Sequence, residues 1–558
     1  MSEIQDNQVP QSSKTYHDSL DGQGLKRIIE AAMTWLKVNQ QTVNSLNVFP
    51  VPDGDTGTNM LLTMQAAYNE IVNSNENNIG IVAHAIAKGA LLGARGNSGV
   101  ILSQLLRGFA RVLDNLETMD ASLMVKAFHE ARNTGYKGVV RPVEGTILTV
   151  AKDVARAAND SYQRTSNMLE ILEDVVTAAD QSVKHTPELL PILKQAGVVD
   201  SGGKGLYYIL EGALRFIKGE QLEAPTIMVK PISALELSQT MEAVEPGQDY
   251  EVVIDFVPSN EFNLDVFYEG LTHIGTSIQV GEGDDMYRMH IHVPLESRYE
   301  PISFTEKMGT INKIFMENLV AQMEGSKSNQ KKFDLMPVEP GKIAVVAVSP
   351  GDGLSAIFAS LGAAAIVEGG QTMNPSTQEI IHAFENLPTD KIIILPNNKN
   401  IILSAQAAVS MTVKKVAVVP STNIPQGLSA MLRLNPEGDF DKIVRDMNSA
   451  LGDVETGEIT TATRSVEING VAVKQGEVIA LHNGTLVHCA NTIADACLGL
   501  LEKANAGDKE RITLFYGDNI RKDEVDAIYK QIQEAYPSHE LELHEGGQPH
   551  YHFIIAIE

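Results

Sequence analysis

Residues 47–60 read NVFPVPDGDTGTNM, and their chemistry organises everything around them. Asp53 and Asp55 stand on either side of Gly54, in a turn set by proline and glycine just ahead of an apolar helical segment. A turn lets both carboxylates converge on one point, as coordination of a hard cation by oxygen requires. Thr56, Gly57, Thr58 and Asn59 follow. These are small residues whose backbone amides, at a helix start, can receive phosphate oxygens. The plain alternative is a capped loop in which the two aspartates satisfy the amides of their own turn.

Three further loops share this character. GARGNSGVILSQ at 93–104 places Gly96, Asn97, Ser98 and Gly99 at the start of a helix, so the backbone can approach a ligand closely. RPVEGTILTV at 141–150 opens another helix with Glu144, Gly145 and Thr146. GVVDSGGKGL at 197–206 sets Asp200 and Ser201 before Gly202, Gly203 and Gly205. Lys204 does not make this last loop a P-loop, because no GxxxxGK[ST] pattern surrounds it. Polar loops at successive helix starts point to a nucleotide pocket at the mouth of a helix barrel or bundle.

The intervening sequence is helical. Leu25, Ile28, Ile29, Ala32, Met33 and Leu36 fall on one face at 3.6-residue spacing, and similar stripes run through Ile101–Val112, Ile147–Ala157 and Tyr207–Ile217. Trp35, the single tryptophan, is expected in the core of this helical region. Residues 1–20 read as a polar tail, 21–218 as an all-helical domain, and 219–248 as a linker. The strand-like runs YEVVIDFV (250–257) and MYRMHIHV (286–293) suggest a small α/β middle domain over 249–325, followed by a second linker at 326–341. Residues 342–558 read as an α/β domain: IAVVAV (343–348), KIIIL (391–395) and KVAVV (415–419) alternate with helical segments, the pattern of βαβ units around a parallel sheet, and ITLFY (512–516), a helix and FIIAI (553–557) follow. The fold class is therefore multidomain α and α+β: a helical domain built as a barrel or bundle, then two α/β domains.

Composition limits the function. The 558 residues carry 71 acidic and 44 basic side chains, for a net charge of −27, and 43% are hydrophobic. That charge argues against nucleic acid and against anionic lipid surfaces as partners. An acidic chain that holds a nucleotide needs cations in between. No apolar run is long enough to span a membrane, and the polar N-terminus lacks the centre of a signal peptide, so a cytoplasmic location is expected. Cys489 and Cys497 cannot form a disulfide framework and read as buried thiols on one helical stretch.

The four loops resemble the ATP-binding L-type domain (DhaL-like) of dihydroxyacetone kinases and, more closely, the A subunit of bacterial fatty acid kinase. EGGQTMNPSTQEI (368–380), LPNNKNIILSAQ (395–406), VVPSTNIPQGLSAML (418–432) and GGQPHYHFII (546–555) resemble that family's DegV-like C-terminal domain. The resemblance implies an antiparallel helix barrel holding ATP and Mg²⁺. It also implies a separate fatty-acid-binding, DegV-like partner, whose acyl carboxylate attacks the γ-phosphate to give an acyl phosphate. A carboxylate acceptor needs no general base, which suits the lack of a histidine beside DGDTG. Asp53 and Asp55 match two of three metal-holding aspartates in the dihydroxyacetone kinases. Asn47 stands near the third position and can supply an oxygen but no charge. Glu144 and Asp200 are offered as auxiliary carboxylates, and two copies of the chain accord with family practice.

The family places an HxH in the middle domain with a cysteine from an earlier strand. Here His290 and His292 lie on one strand face and could share Zn²⁺, but Val253 stands where the cysteine aligns, leaving His273 or Asp255 as substitutes. Two buried strand histidines are the other reading. GGQTMNPST (369–377) could hold an anion or serve as a well-capped βα loop. Two competing functions stay open: a dihydroxyacetone kinase-type ATP-binding subunit, and a non-catalytic nucleotide-binding scaffold.

Overall fold

The computed structural model describes residues 19–47, 54–139, 141–220, 229–231, 250–259, 262–283, 286–318, 335, 337–371, 373–462, 465–468 and 471–558. The chain divides into two compact units, one formed by Met1–Leu222 with Phe333–Glu558 and the other by Glu223–Lys332.

The helical part of the first unit comprises α1 (Gly22–Val38), α2 (Gln40–Leu46), α3 (Thr56–Asn69), α4 (Ile79–Leu92), α5 (Gly96–Val112), α6 (Ala121–Lys137), α7 (Ile147–Tyr162), α8 (Met168–Leu189), α9 (Pro191–Ala196) and α10 (Ser201–Ile217). Side-chain caps explain where several begin. Asp21 accepts from the Gly24 N–H at 2.8 Å, Asp120 from the Leu123 N–H at 2.8 Å, and Asn167 from the Leu169 N–H at 2.9 Å. Gly197, left-handed at φ 67°, ends α9. From α3 to α8 each helix packs on the next, α10 returns from α8 to α1, and α1 touches α3, which closes a barrel. The expected stripe on α1 faces inward: Leu25, Ile29, Ala32 and Leu36 are buried beside Met60, Met64, Leu102 and Val154. An apolar cavity of about 170 Å³ lies within the ring. Trp35, expected in the core, is instead half-buried on the α1–α10 seam. Its Nε1 donates to Glu211 at 2.7 Å, and Arg215 lies over its ring. An indole N–H needs such a partner, and the apolar barrel interior does not supply one.

The rest of this unit runs β1 (Ile343–Ser349), α11 (Asp352–Ser360), β2 (Ala365–Glu368), α12 (Thr377–Glu385), β3 (Lys391–Leu395), α13 (Ile402–Val409), β4 (Lys415–Val418), α14 (Ile424–Met431) and α15 (Phe440–Ala450). These four strands pair in parallel, with β1 between β2 and β3 and with β4 on the far side of β3. Every residue of β1 is buried, with Ile343, Val345 and Ala347 in one cluster and Ala344, Val346 and Val348 in another. A strand covered on both faces has to be a continuous apolar run. A second sheet of six strands is built from Glu455–Thr461, Val478–His482, Thr485–Ala490, Arg511–Tyr516, Glu540–Glu545 and Tyr551–Ile557. Its strands Arg511–Tyr516 and Tyr551–Ile557 contain the expected runs ITLFY and FIIAI, whereas its antiparallel strands between Glu455 and Ala490 lie where no strand was read from the sequence. Cys489 sits in one of them and Cys497 on the following helix, Ile493–Lys503, which Thr492 caps. The single helical stretch expected for both is thus interrupted at Asn491–Thr492, and both thiols are free.

The second unit is a five-stranded sheet formed by Val229–Pro231, Tyr250–Pro258, Thr276–Gly283, Met286–Val293 and Gly309–Asn318, with helices Leu264–Thr272 and Glu300–Thr305. Val229–Pro231, inside the stretch read as a linker, is an edge strand parallel to Thr276–Gly283. No helix among the described residues is long and apolar enough to cross a membrane.

Candidate functional site

Asp55 stands immediately before α3, but its side chain does not cap that helix. It is only 7% exposed, and its Oδ2 accepts from Asn374 Nδ2 at 2.5 Å. Its carbonyl receives the Asn59 N–H at 2.8 Å, closing the first helical turn. Gly54, at φ 53°, permits the sharp entry. Thr58 is tied to α2: its hydroxyl accepts from Gln40 at 2.9 Å and Asn44 at 3.1 Å, and its N–H donates to Asn44 Oδ1 at 3.2 Å. The amides of Thr58 and Asn59, expected to meet phosphate, are therefore engaged within the protein. Thr56 and Gly57 carry the remaining candidate amides of this turn. Asn47 closes α2, its N–H donating to the Asn44 carbonyl at 3.1 Å. Asp53 lies outside the described residues.

The start of α5 lies directly on α3. Gly96 has φ 55°, and a Cβ there would come 2.7 Å from Asn59 Nδ2; a Cβ at Gly99 would come 2.5 Å from Thr63 Oγ1. Only glycine fits either position. The same loop faces the α/β part of the unit. Arg95 Nη1 donates to the Asn374 carbonyl at 3.0 Å, and its guanidinium pairs with Glu379 at 3.0 Å. Thr377 N–H donates to the Ala94 carbonyl at 3.2 Å, and Asn97 reaches Asn400 at 3.3 Å. Ser98, half-buried, shares this first turn of α5.

The remaining loops join through Asp200. Its carboxylate caps α10 by accepting the Gly203 N–H at 2.7 Å and also receives the Ile147 N–H at the start of α7. Burial pushes its pKa up to about 6, against the opposing pull of those two amides. Gly203 lets α10 approach α7, since a Cβ there would meet Val150 Cγ2 at 2.8 Å. Ser201 Oγ donates to Thr56 Oγ1 at 3.2 Å, bringing the α10 and α3 starts together. Glu144 is held in its own loop by Lys152 at 2.6 Å, Thr149 at 2.7 Å and Tyr136 at 3.0 Å, and the Lys152 ammonium first among these keeps its carboxyl below the usual range. Thr146 caps α7 through Leu148 N–H at 3.4 Å and donates to the Val143 carbonyl at 2.7 Å. Asp200 and Glu144 thus have structural partners where auxiliary cation ligands were expected.

The outcome is a set of helix N-termini, each carrying partial positive charge, around one buried carboxylate. Such a site suits an anion bridged by a hard cation. The donor set fits that use: beside Asp55, the Oδ1 of Asn374 is buried and has no hydrogen-bond partner among the described residues. GGQTMNPST, read as an anion loop or a capped loop, is a capped one. Ser376 Oγ accepts the Glu379 N–H at 3.1 Å, and Glu379 accepts the Ser376 N–H at 2.6 Å. Thr372 lies outside the described residues. No local pattern hinted that this loop meets Asp55, because the two lie 319 positions apart.

In the second unit His290 and His292 are both 4% exposed, with ring centroids 4.9 Å apart. Val253 pairs directly opposite His290, so the place aligned with a cysteine is an aliphatic side chain, and Asp255 pairs opposite Arg288. His273 closes helix Leu264–Thr272. No group of three or more His, Cys, Asp or Glu that could hold a metal ion occurs among the described residues.

Comparison with known proteins gives two matching family models. Residues 344–558 match the FakA-like C-terminal model of fatty acid kinase, and residues 50–215 match the DAK2 domain. Protein YloV of Bacillus subtilis is 36% identical over 551 residues, covering 97% of this chain and 99% of that protein. An uncharacterized protein of Staphylococcus aureus strain USA300 is 35% identical over 538 residues, covering 95% of this chain and 98% of that protein. Among solved structures, the Streptococcus pneumoniae fatty acid kinase B3 protein loaded with linoleic acid overlaps 33% of this chain and 76% of its own, with 16% identity and a TM-score of 0.24.

Proposed function

This chain belongs to the FakA-like family of fatty acid kinase, and from that premise we propose that it is the ATP-dependent kinase component. Its substrate is a fatty acid presented by a separate lipid-binding, DegV-like protein. A carboxylate oxygen attacks the γ-phosphorus, the bond from that phosphorus to the β–γ bridging oxygen breaks, and ADP and an acyl phosphate leave. The observation that carries the proposal is the convergence of the α3, α5 and α10 N-termini, with α7 tied in through Asp200, around the buried carboxylate of Asp55.

The parts take distinct roles. Thr56, Gly57 and the Gly96–Ser98 turn receive phosphate oxygens at helix starts, while the Gly99 N–H is already given to the Arg95 carbonyl at 3.1 Å. Asp55 and Asp53 would hold Mg²⁺, which would supply charge neutralisation for the phosphates. Gly203 keeps α10 close enough to α7 to complete the pocket wall. No side chain is needed as a base, because a carboxylic acid with a pKa of about 4 to 5 is already ionised near neutral pH. The acidic surface then has no part in binding phosphate.

The test uses the full chain with a fatty-acid-loaded DegV-family protein, and acyl phosphate is trapped as hydroxamate. Asp55→Asn keeps shape and an acceptor for Asn374 but removes the charge. Loss of acyl phosphate formation by at least about a hundredfold, with unchanged circular dichroism, is the expected result. Phosphorylation of dihydroxyacetone in place of the fatty acid, or ATP turnover that survives the substitution, would refute the proposal.

A further inference from the structure

A side chain from the α/β part of the unit reaches Asp55 across the seam with the barrel, and it comes from the loop after β2. Asn374 is 3% exposed; its Nδ2 donates to Asp55 Oδ2 at 2.5 Å, while its Oδ1 is buried without a partner among the described residues. A buried amide oxygen left unpaired is destabilising, so its retention calls for an explanation.

The loop is built to hold this residue still. Upstream, Gly370 N–H donates to the Met373 carbonyl at 3.0 Å, closing a tight turn. Downstream, Pro375 restricts Asn374 to extended backbone, and the Ser376–Glu379 capping box fixes the start of α12. From across the seam, Arg95 binds both the Asn374 carbonyl and the Glu379 carboxylate. The backbone is therefore clamped on both sides, and the remaining freedom of Asn374 is rotation of its terminal amide.

We propose that Asn374 is a positioning residue of the cation site. Without a cation its N–H group caps Asp55, and when a divalent cation enters, the amide turns over so that Oδ1 faces the ion or a water bound to it. The inference rests on the function proposed above, since it takes Asp55 as a cation ligand. The chemistry is direct. The amide NH₂ points hydrogens of partial positive charge at Asp55 and would oppose a cation there. Rotation by about 180° exchanges it for an oxygen, the ligand type that Mg²⁺ and Mn²⁺ prefer. Since Oδ1 gives up no hydrogen bond among the described residues, the exchange breaks only the bond to Asp55.

Mn²⁺ binding to the full chain, read by the loss of free-ion electron paramagnetic resonance signal, tests this apart from activity. Asn374→Ala is expected to weaken Mn²⁺ binding by about tenfold, the lower end of the range for groups that orient metal ligands. Asn374→Asp restores an oxygen and is expected to bind Mn²⁺ at least as tightly as wild type. Its cation-free form should melt lower, because two carboxylates then face each other, and Mn²⁺ should reverse that. Should Asn374→Ala not fold, the aspartate variant decides alone, and a tenfold weakening in it overturns the inference. Arg95→Ala separates positioning from mere bracing. It keeps the Asn374 amide, so an equal loss of Mn²⁺ affinity in Arg95→Ala and Asn374→Ala overturns the proposal. Wild type that binds Mn²⁺ alongside an unaffected Asn374→Ala variant overturns this inference alone. Wild type that binds neither Mn²⁺ nor Mg²⁺-ATP overturns the proposed function as well.

Discussion

Replacing Arg95 by alanine cuts a charged tie between the helical barrel and the α/β part, and its effect can be worked out in advance. The guanidinium donates to the Asn374 carbonyl at 3.0 Å, and its side chain is only 18% exposed. A hydrogen bond with one charged partner is worth about 1.5–3 kcal/mol. The ion pair with Glu379 adds little, about 0.5 kcal/mol or less, because the Glu379 side chain is 48% exposed and screened. The seam should therefore lose about 2–3 kcal/mol locally. The Thr377 N–H, which donates across the seam to the Ala94 carbonyl at 3.2 Å, is the natural reporter. If exchange follows local opening, that loss speeds its hydrogen exchange by about 30- to 150-fold. Ile394, fully buried at the centre of the parallel sheet, should keep its protection. Arg95→Lys keeps the charge but not the planar fork, so it should fall between the two. Exchange at Thr377 within about threefold of wild type would show that the seam is held by packing and that the reasoning is wrong.

The other expectations concern the barrel. Burial raises the Asp200 pKa from 3.8 to about 6, so folding favours the protonated form. Its contribution is full below pH 4 and is lost as pH rises to about 6, on the order of 3 kcal/mol for a shift of about two units. In urea unfolding followed by Trp35 fluorescence, the stability of wild type relative to Asp200→Asn should fall across that interval and level off above pH 7; a constant difference would contradict the burial argument. At Gly57 an added Cβ would lie 2.5 Å from the Gln40 carbonyl and 2.9 Å from Asn44 Oδ1. Gly57→Ala should therefore cost about 1–3 kcal/mol and weaken ATP binding, by pushing α2 off α3. Gly507→Ala, with nothing within 4 Å, should be neutral in the same denaturation assay, and equal effects would argue against the packing explanation.

Much of the fold was legible in the chain because it depends on neighbours in sequence. The inward stripe of α1 and the buried runs of β1 and β3 follow from local periodicity. The antiparallel strands around Glu455–Ala490 were not legible, since they are short, mix polar with apolar residues in Glu455–Thr461 and Thr485–Ala490, and gain their definition from cross-strand partners. Trp35 was misplaced because a single apolar residue on a helix does not reveal which neighbour will satisfy its N–H.

The candidate site divides along the same line. Sequence alone determined that Asp55 enters a helix start and that Gly96 and Gly202 open others, because turn chemistry and helix capping act over a few residues. Only the tertiary structure decided what those loops do. It spent the Thr58 amide on Asn44, set Asp200 to capping two helices, closed Glu144 onto Lys152, and brought Asn374 to Asp55. Those pairings depend on where the barrel closes and where the α/β part docks. Both are outcomes of burying apolar faces between segments far apart in the chain, so no local stretch of sequence records them.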